Sequence, residues 1–439
     1  MTYPRVLIVA LGRINATDTT NNGLLLRSLF TGWPQENVAQ IYSSGDNGDN
    51  GFFGRYYRLG PPDRWLGHLF YKLKDAAKEE LVGKSFSVSV SGTSRKPPIR
   101  SAGKRLFLNT GLYELIFRPR LSKEMLVWTE DFKPDIILAQ GYCLTFAWLP
   151  VMLKKKLGIK LAYLSTDDWP IYLYSGQLGE PRVFTRMLKF VVKRATARLM
   201  SVVDVPFAFG PPMADEYSAR YKKTFITLSH ADDPRRFSES TPLRSHPHGV
   251  FTILAMGNFN RFRWPLLLDA NECCRLLAEE GITARVAVLC SAIDPDGARE
   301  IGRSSYIDLF VDPGNELLPC YLRGADLLFL AEGFDEGFVS AIRLSVSSKS
   351  HLFMFSRRPI IVYAHPSTGV GKYAAKYHWA HLVARQDVGM LLETVRDLLK
   401  NTIEADRLVS RADETVKAFH LGDANQARFV GSLTNCLGH

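Results

Sequence analysis

The sequence predicts an α/β fold made of two parallel-sheet domains. Short runs that are apolar throughout, rather than at every second position, alternate with helix-like segments along the chain. This pattern is expected for strands of a parallel sheet that helices cover on both faces. A length of 439 residues also exceeds one ordinary hydrophobic core. We therefore expect two open α/β domains facing each other across a cleft, with ligands at the carboxyl ends of the strands.

The first series of elements fills the N-terminal half of the chain. Asn22–Phe30 and Phe184–Arg198 have the pattern of helices. The expected strands are Val6–Ala10, Val38–Tyr42, Asp135–Ala139, Lys160–Leu164 and Met200–Val203. The first apolar run lacks a leading basic region and ends in Gly-Arg, so it predicts a buried strand rather than a secretory signal.

The second series begins at Gly249, after a segment rich in Pro, Ser, Arg and His that predicts a domain boundary. The expected strands are Phe251–Ala255, Ala284–Cys290, Ile307–Val311, Asp326–Leu330 and Pro359–Tyr363, and the expected helices are Pro265–Glu280, Glu316–Arg323 and Asp387–Asn401. We predict a first domain over residues 1–235, a linker over 236–248, a second domain over 249–418, and a C-terminal helix over 419–439 that could pack back on the first domain.

Composition favours a cytoplasmic protein without a metal site or disulfides. The six cysteines form no Cys-x-x-Cys pair, and most lie in apolar contexts, which is typical of reduced core residues. Residues 136–153 approach the length of a membrane span, but Gln140, Gly141, Thr145 and Pro150 interrupt the apolar run. We interpret this segment as a strand, a turn and a helix, with the span as the alternative.

The positive charge is concentrated in one segment. The net charge is +11, and residues 61–125 contain 13 Lys or Arg and 6 Asp or Glu, which gives +7 there. Basic residues alternate with Trp, Phe, Leu and Tyr, as in a helix on an anionic membrane or a groove for an anionic lipid-linked acceptor. A solvated insertion is the plain alternative. Nucleic-acid binding uses similar residues, but no recognised nucleic-acid motif is present.

Residues 342–363 suggest an anion site. Ser347, Ser348 and Lys349 precede a helix-like run, which a β-branched strand follows. A helix start offers free backbone N–H groups and the positive end of the helix dipole, and Lys349 adds a full charge. The alternative is a helix N-cap with a solvated lysine.

This corner resembles the diphosphate-binding corner of the retaining glycosyltransferases of GT-B fold. Four further motifs are similar to that family, in the expected order over roughly 200 residues. They are TARLMSVVDVPFAFGPPMADEYSARY, SHADDPRRF, FTILAMGNFNRFRWPLLLDA and NELLPCYLRGADLLFLAEGFDEGF. The resemblance implies a GT-B fold and transfer of a sugar from a nucleotide diphosphate sugar, with retention of configuration.

Within that resemblance, donor-binding residues come from two motifs. Lys349, Ser348 and either Arg261 or Arg263 correspond to the diphosphate-binding groups, and Gly257 to the glycine that lets a phosphate approach the backbone. A cationic pair of this kind can stabilise the leaving diphosphate without a metal, and we expect no cofactor. For the arginines a solvated loop is the alternative, and for Gly257 an ordinary turn.

The Glu-Gly-Phe loop is the expected sugar site. Relatives place a carboxylate here near the donor sugar, where it can stabilise positive charge at the anomeric carbon. Glu336 is the catalytic candidate, and Glu332, Gly337 and Phe338 are expected to bind the donor; an acidic surface loop is the alternative. Many relatives carry a second Glu farther on, but here Leu352, or by another spacing Arg343 and Leu344, fills its place.

The acceptor side is expected in the first domain. Asp167 and Asp168, which follow a predicted strand, are two further catalytic candidates, because paired carboxylates there could orient an acceptor hydroxyl; the alternative is that they cap the next turn. Polar and glycine positions that resemble first-domain contacts of the family are Gly12, Asn22, Gly23 and Gln140. His230 begins the predicted linker turn and is expected to be structural rather than catalytic.

The sequence therefore predicts a glycosyltransferase that acts on a glycan or lipid-linked hydroxyl acceptor, in the cytoplasm or at the inner face of the membrane. The expected partners are a nucleotide-sugar donor, the acceptor and an anionic membrane surface that residues 61–125 contact; no nucleic acid is expected. The alternatives are a non-catalytic partner subunit of the same fold, because the second Glu is missing, and a nucleotide-sugar epimerase of similar fold.

Overall fold

We determined the fold from a computed structural model, which describes residues 3–17, 20–45, 50–69, 112–172, 182–311 and 313–438. The chain forms two compact units, which we treat one at a time. The first comprises Met1–Ala208, Ser218–Ile226 and Phe429–His439, and the second comprises Phe209–Tyr217 and Thr227–Arg428. The predicted first domain, residues 1–235, includes residues 209–217, whereas in the structure these residues belong to the second unit.

The first sheet has the strand order β3-β2-β1-β4-β5-β6-β7, and its pairing from β3 to β6 is parallel. The strands are β1 (Val6–Val9), β2 (Val38–Tyr42), β3 (Arg55–Arg58), β4 (Ile136–Ala139), β5 (Lys160–Ser165), β6 (Val205–Phe209) and β7 (Ile226–Leu228). The helices are α1 (Asn21–Leu29), α2 (Leu112–Ile116), α3 (Lys123–Phe132), α4 (Leu144–Leu157), α5 (Trp169–Tyr172), α6 (Arg182–Val202) and α7 (Pro211–Tyr221).

The second sheet is parallel, with the order β10-β9-β8-β11-β12-β13. Its strands are β8 (Phe251–Phe259), β9 (Ala284–Ile293), β10 (Ile307–Val311), β11 (Leu327–Ala331), β12 (Ile360–Tyr363) and β13 (His381–Val383). The helices are α8 (Pro234–Ser238), α9 (Trp264–Glu279), α10 (Pro295–Gly302), α11 (Gly314–Gly324), α12 (Glu336–Ala341), α13 (Ser350–Phe355), α14 (Gly369–Tyr377), α15 (Val388–Lys400), α16 (Thr402–Phe419) and α17 (Gly422–Leu437).

The predicted fold class is confirmed. The residues of β1, β2, β4, β11 and β12 are all buried, as expected where helices cover both faces of a parallel sheet. Two separate apolar clusters cover the two faces of the second sheet. On one face the strands pack against α9 and α15, and on the other face they pack against α11 and α13. Residues 136–153 form β4 and most of α4, so the strand–turn–helix prediction is confirmed.

One strand prediction is wrong. Residues 200–202 end α6 rather than forming a strand, and the strand is β6, at Val205–Phe209. Leu199 and Met200 are 0% and 2% exposed, because they lie on the buried face of the helix. A short apolar run of this kind looks the same whether it ends a buried helix or forms a buried strand.

The C-terminal segment contributes to the core of the first unit. The ring of Phe429 lies 5.3 Å from the rings of both Phe30 and Phe207, and 6.1 Å from that of Trp33. Phe429 is fully buried, so aromatic packing holds the middle of α17 in place.

Candidate functional site

The chain reverses its course across the second sheet between β8 and β11. From β8 it moves outward to β9 and β10, and it then returns to the opposite side of β8 for β11, β12 and β13. In open α/β sheets such a reversal leaves a crevice at the carboxyl ends of the strands, where ligands bind. Gly257 lies near the carboxyl end of β8, and Glu332 follows β11 directly. The topology therefore brings two candidate donor residues to one edge of the sheet.

Gly257 and Lys349 are in contact. The φ angle of Gly257 is 136°, which side-chain-bearing residues rarely adopt, and the pairing with β9 shifts register just after it. A Cβ atom at position 257 would lie 2.2 Å from Cε and 3.1 Å from Nζ of Lys349. The missing side chain therefore leaves room for the lysine itself to cross the backbone at this point.

Arg263 and Glu332 form an ion pair beside this contact. Nε and Nη2 of Arg263 donate to the same oxygen of Glu332, at 3.0 and 2.6 Å. The Glu332 side chain is 4% exposed and that of Arg263 is 21% exposed. A nearly buried carboxylate needs such a partner, so Glu332 fixes the direction of the guanidinium.

Lys349 is electrostatically coupled to both members of this pair. Burial lowers the pKa of Lys349 from its ordinary value, the charge of Arg263 lowers it further, and Glu332 acts in the opposite sense. An anion that entered this cluster would interact favourably with both cations and would raise the lysine pKa again. Lys349 and Arg263 thus supply the positive charge expected of a site for a diphosphate, and Glu332 offsets part of that charge.

The other two residues of the predicted diphosphate site lie at its margins. Arg261 is exposed, with its guanidinium carbon 4.7 Å from the ring centroid of Phe262. Ser348 is half-buried, and α13 begins two residues later, with Lys349 as its N-cap. Of the two arginines that the sequence left open, Arg263 is therefore the one that accompanies Lys349.

The Glu-Gly-Phe loop packs against the same segment. Asp335 caps α12 by accepting from the backbone N–H of Phe338 at 2.9 Å. The Phe338 ring stacks on Phe262 at 4.6 Å and 12°, and the Arg263 guanidinium carbon lies 5.5 Å from the Phe338 ring centroid. Glu336, the first residue of α12, is exposed. The two glutamates of the loop therefore differ: Glu332 is buried and paired, whereas Glu336 faces solvent.

The packing of the Phe338 ring requires a glycine at position 333 but not at position 337. A Cβ at Gly333 would lie 2.4 Å from Cδ1 of Phe338, so the ring needs a glycine there. At Gly337 the nearest atom would be Oδ1 of Asp335, at 3.3 Å, which is a milder conflict. Gly337 thus adjoins the helix cap rather than the stacked rings.

The positions of the absent second Glu are occupied by residues with other roles. Leu352 packs against the hydrophobic core of the second unit, and Leu344 is buried. Arg343 donates to Glu216 at 3.4 Å, and its carbonyl accepts from Lys372 at 3.1 Å. None of the three supplies a carboxylate that could bind a ribose.

The first sheet has its own reversal, between β1 and β4. Gly12 follows β1, and its carbonyl accepts from the buried side chain of Gln40 at 2.7 Å. Gln140 follows β4 and is 1% exposed; its side-chain oxygen accepts from Asn22 at 3.0 Å. Gly23 donates its N–H to the capping Thr20 at the start of α1. The four acceptor-side candidates thus gather near the carboxyl ends of the two central strands.

Asp168 is held in an ion pair that the sequence did not predict. Arg220 donates through Nη1 and Nη2 to the two carboxylate oxygens, at 2.7 and 3.2 Å, and the Asp168 side chain is 4% exposed. Asp167 is half-buried, and its charge raises the pKa of the buried Tyr142, on which burial has the larger effect. The two neighbouring aspartates therefore have different environments.

Sequence reasoning missed a stack of three histidines in the second unit, in which His351 and His420 are buried and His230 is half-buried. The ring of His351 lies 5.6 Å from that of His230 and 5.9 Å from that of His420, at interplanar angles of 23° and 24°. Nδ1 of His420 contacts the carbonyl of His230 at 2.6 Å, and its Nε2 lies 2.8 Å from the Tyr373 hydroxyl. The three residues are far apart in the sequence, so no local pattern could have revealed them. His230, for which the sequence predicts a structural role, belongs to this packed cluster.

Within the described ranges no group of three or more His, Cys, Asp or Glu residues has an arrangement that would hold a metal ion. The helices in the same part of the chain are all too short or too polar to cross a membrane.

Comparisons with known proteins identify the fold. No protein-family model matches the chain, and no curated protein matches it by sequence. Among solved structures, it resembles a sucrose-phosphate synthase from Thermosynechococcus elongatus, with a TM-score of 0.57, 13% identity and 99% and 98% of the two chains covered.

Two further solved structures are similar. One is an alpha,alpha-trehalose-phosphate synthase (UDP-forming) from Burkholderia vietnamiensis, with a TM-score of 0.56, 10% identity and 99% of each chain covered. The other is a trehalose-6-phosphate protein from E. coli bound with UDP-2-fluoro glucose, with a TM-score of 0.58, 10% identity and 99% of each chain covered. Because the match extends over nearly the whole of each chain, the predicted GT-B fold is confirmed.

Proposed function

We propose that this chain, which has the GT-B fold, is a glycosyltransferase that moves a sugar from a nucleoside diphosphate sugar to a hydroxyl of a glycan or lipid-linked acceptor. The observation that carries the proposal is the cluster at the reversal of the second sheet, where Lys349 crosses Gly257 beside the Arg263–Glu332 pair. The nucleotide-sugar ligand of the E. coli structure of the same fold supports a donor of this class.

The proposed chemistry makes direct use of that cluster. The bond between the anomeric carbon and the β-phosphate oxygen breaks, the acceptor oxygen bonds to the same carbon, and the acceptor proton goes to the departing β-phosphate. Negative charge grows on the diphosphate as it leaves, and Lys349 and Arg263 are placed to stabilise it with charged hydrogen bonds. Transfer with retention of configuration follows from the family resemblance alone.

The remaining candidates take supporting roles in this proposal. Glu332 orients Arg263, since its carboxylate is already engaged there. Glu336 is the carboxylate that contacts the donor sugar. The other residues that line the donor site are Gly337, Phe338, Ser348 and Arg261. On the acceptor side we assign contacts to Asp167, Gln140, Asn22, Gly23 and Gly12. We assign Asp168 the positioning of the following turn, because Arg220 holds both of its oxygens.

Calorimetry with nucleoside diphosphates tests the donor site. UDP, GDP and ADP would be titrated into the chain and into Lys349→Ala, with Lys400→Ala, an exposed lysine on α15, as the matched control. Loss of a hydrogen bond from a charged group weakens binding by about 1.5–3 kcal/mol, so we expect roughly 10- to 100-fold weaker binding only for Lys349→Ala. Equal affinities in the two variants would refute the assignment.

A non-catalytic partner subunit is the second candidate, and one observation favours it. The positions expected for the ribose-binding Glu hold no carboxylate. Leu352 and Leu344 pack in the core, and Arg343 binds Glu216. Incubation with a panel of nucleotide sugars, with and without glycan acceptors, separates the two functions. Transferase activity releases nucleoside diphosphate, whereas a partner subunit that binds the nucleotide releases none.

The location that we propose is the cytoplasmic face of a membrane, with a polysaccharide or lipid-linked acceptor. The basic segment 61–125 motivated this proposal, but residues 70–111 lie outside those that the structure describes.

A further inference from the structure

Helix α6 of the first unit has a strongly basic composition. Its 21 residues include six Lys or Arg and no Asp or Glu. The basic side chains in the part of the helix whose burial is described are all exposed. They are Arg186, Lys189, Lys193, Arg194 and Arg198. Among the described residues, none of these five forms an ion pair with a carboxylate, so their charges face solvent together.

Large apolar side chains are exposed among these charges. Met187 is 43% exposed and Phe190 is 59% exposed, and the Arg194 guanidinium carbon lies 5.6 Å from the Phe190 ring centroid. The opposite side of the helix is anchored in the core, where Leu188 and Val192 are each 1% exposed. Since a core-facing stripe already fixes the helix, Met187 and Phe190 have no role in holding it to the sheet.

A second apolar group is exposed on the same face of the first sheet. The connections β4–α4–β5 and β5–α6–β6 run in the same direction across the sheet. Because connections between parallel strands are right-handed, α4 and α6 lie on the same face of the sheet. Helix α4 packs against both α6 and α2. Around α2 four large side chains are 50–62% exposed. They are Trp65, Leu66, Leu69 and Ile116.

The backbone in this second group is unusual. Leu66 has a φ of 48°, a left-handed conformation that leucine rarely adopts. The preceding Trp65 donates its N–H to the carbonyl of Arg118 at 3.0 Å, which ties the turn to the end of α2. Gly and Asn adopt this left-handed conformation more easily than other residues. The turn itself therefore does not explain why an exposed leucine occupies position 66.

We propose that this face of the first unit, defined by the exposed residues of α6 and by Trp65, Leu66, Leu69 and Ile116, binds an anionic phospholipid bilayer. Charge complementarity commits it to that partner, because lysine and arginine attract anionic headgroups while apolar side chains enter the boundary of the acyl chains. Trp65 and Phe190 could stack on bases, but the other four exposed apolar side chains could not, which argues against a nucleic acid; these four are Leu66, Leu69, Ile116 and Met187. The inference adds α6 to the membrane contact proposed for residues 61–125, and it does not depend on donor binding.

Co-sedimentation of the full chain with vesicles tests the surface. We expect binding to vesicles of phosphatidylcholine with phosphatidylglycerol, little binding to phosphatidylcholine alone, and a loss of binding with added NaCl. Lys189→Glu/Lys193→Glu should lower the partition coefficient at least roughly tenfold, because two attractive charges become repulsive. The matched control is Lys400→Glu/Lys417→Glu, which makes the same change of charge at exposed positions of the second unit.

The apolar contribution has its own pair of variants. Phe190→Ser should weaken binding to the mixed vesicles, whereas Ile403→Ser, at a position 81% exposed in the second unit, should not. Unfolding midpoints of all variants would be compared to confirm that they fold. Equal partition coefficients for the α6 variants and their controls would overturn the proposal. The proposal would also be overturned if the chain did not bind the mixed vesicles but bound a single-stranded oligonucleotide through Lys189 and Lys193.

Discussion

The side chain of Lys349 crosses the backbone at Gly257, and its Cε lies too close to the position of a Cβ there for both atoms to fit. The contact joins the end of β8 to the residue before α13. Two features that the sequence presented separately, a glycine loop and a serine–lysine corner, therefore form one site.

Gly257→Ala should disturb this site through the lysine. The new methyl group would displace the flexible Lys349 side chain, and alanine would be strained at a φ of 136°. We expect weaker binding of nucleoside diphosphates and a stability loss of about 1–2 kcal/mol. Gly302→Ala is the matched control, since nothing lies within 4 Å of a Cβ built there. Unchanged affinity in Gly257→Ala, measured by calorimetry, would contradict the proposed role of the contact.

The Arg263–Glu332 pair should couple strongly in a double-mutant cycle. Glu332→Ala leaves a poorly exposed guanidinium next to Lys349, so we expect it to destabilise the second unit by about 2 kcal/mol. Arg263→Met in the same chain should recover part of that loss. The exposed pair Arg299–Asp296 serves as the control, with an expected coupling of about 0–1 kcal/mol. Urea unfolding of the single and double variants measures both couplings, and equal values would show that burial does not strengthen the Arg263–Glu332 pair.

The sequence predicted the strands better than the contacts of the site. The predicted strands Val38–Tyr42 and Ile307–Val311 match the structure residue for residue, because both runs are mostly apolar and only Gln40 and Asp308 interrupt them. The edge strand β3, with the sequence RYYR, has no such run and was missed. The strand expected at 200–203 failed because a buried helix end has the same composition.

At the candidate site, motif order singled out residues but did not indicate their partners. Lys349, Gly257 and Glu332 could be singled out from the chain, since their motifs are local. That Glu332 would bind Arg263, and that Asp168 would bind Arg220, depends on tertiary packing of residues 69 and 52 positions apart. The histidine stack is a stronger case, because His230, His351 and His420 lie on three separate segments.

The ion pair between Asp168 and Arg220 should be structural. Arg220→Met would remove both guanidinium hydrogen bonds from a carboxylate that is 4% exposed, and we expect a loss of about 3 kcal/mol in the stability of the first unit. Asp168→Asn should also destabilise it, with clear coupling between the two substitutions. If Asp168 only positions the turn, transfer per folded molecule will fall equally in both variants. A much larger fall in kcat for Asp168→Asn would instead make Asp168 a catalytic residue, and Asp167→Asn provides the comparison.

The histidine stack should make the second unit sensitive to acid. Burial lowers the pKa of His230 and of His420 to about 4, and that of His351 well below its ordinary value of 6.5. Below pH 6.5 the unfolded chain therefore binds protons that the folded unit excludes, so stability is fully present above 6.5 and is lost as the pH falls towards 4. Three such groups give a slope of at most about 4 kcal/mol per pH unit in this window.

Hydrogen–deuterium exchange of peptides from α13 and α16, compared between about pH 7 and pH 5.5 after correction for intrinsic exchange, measures this loss within the second unit. His351→Leu should reduce the slope by about a third, because it removes one of the three imidazoles. His378→Asn is the control, since this exposed histidine has a φ of 57° that asparagine tolerates. The same acid-induced opening in both variants would show that the stack is not what makes the unit acid-sensitive.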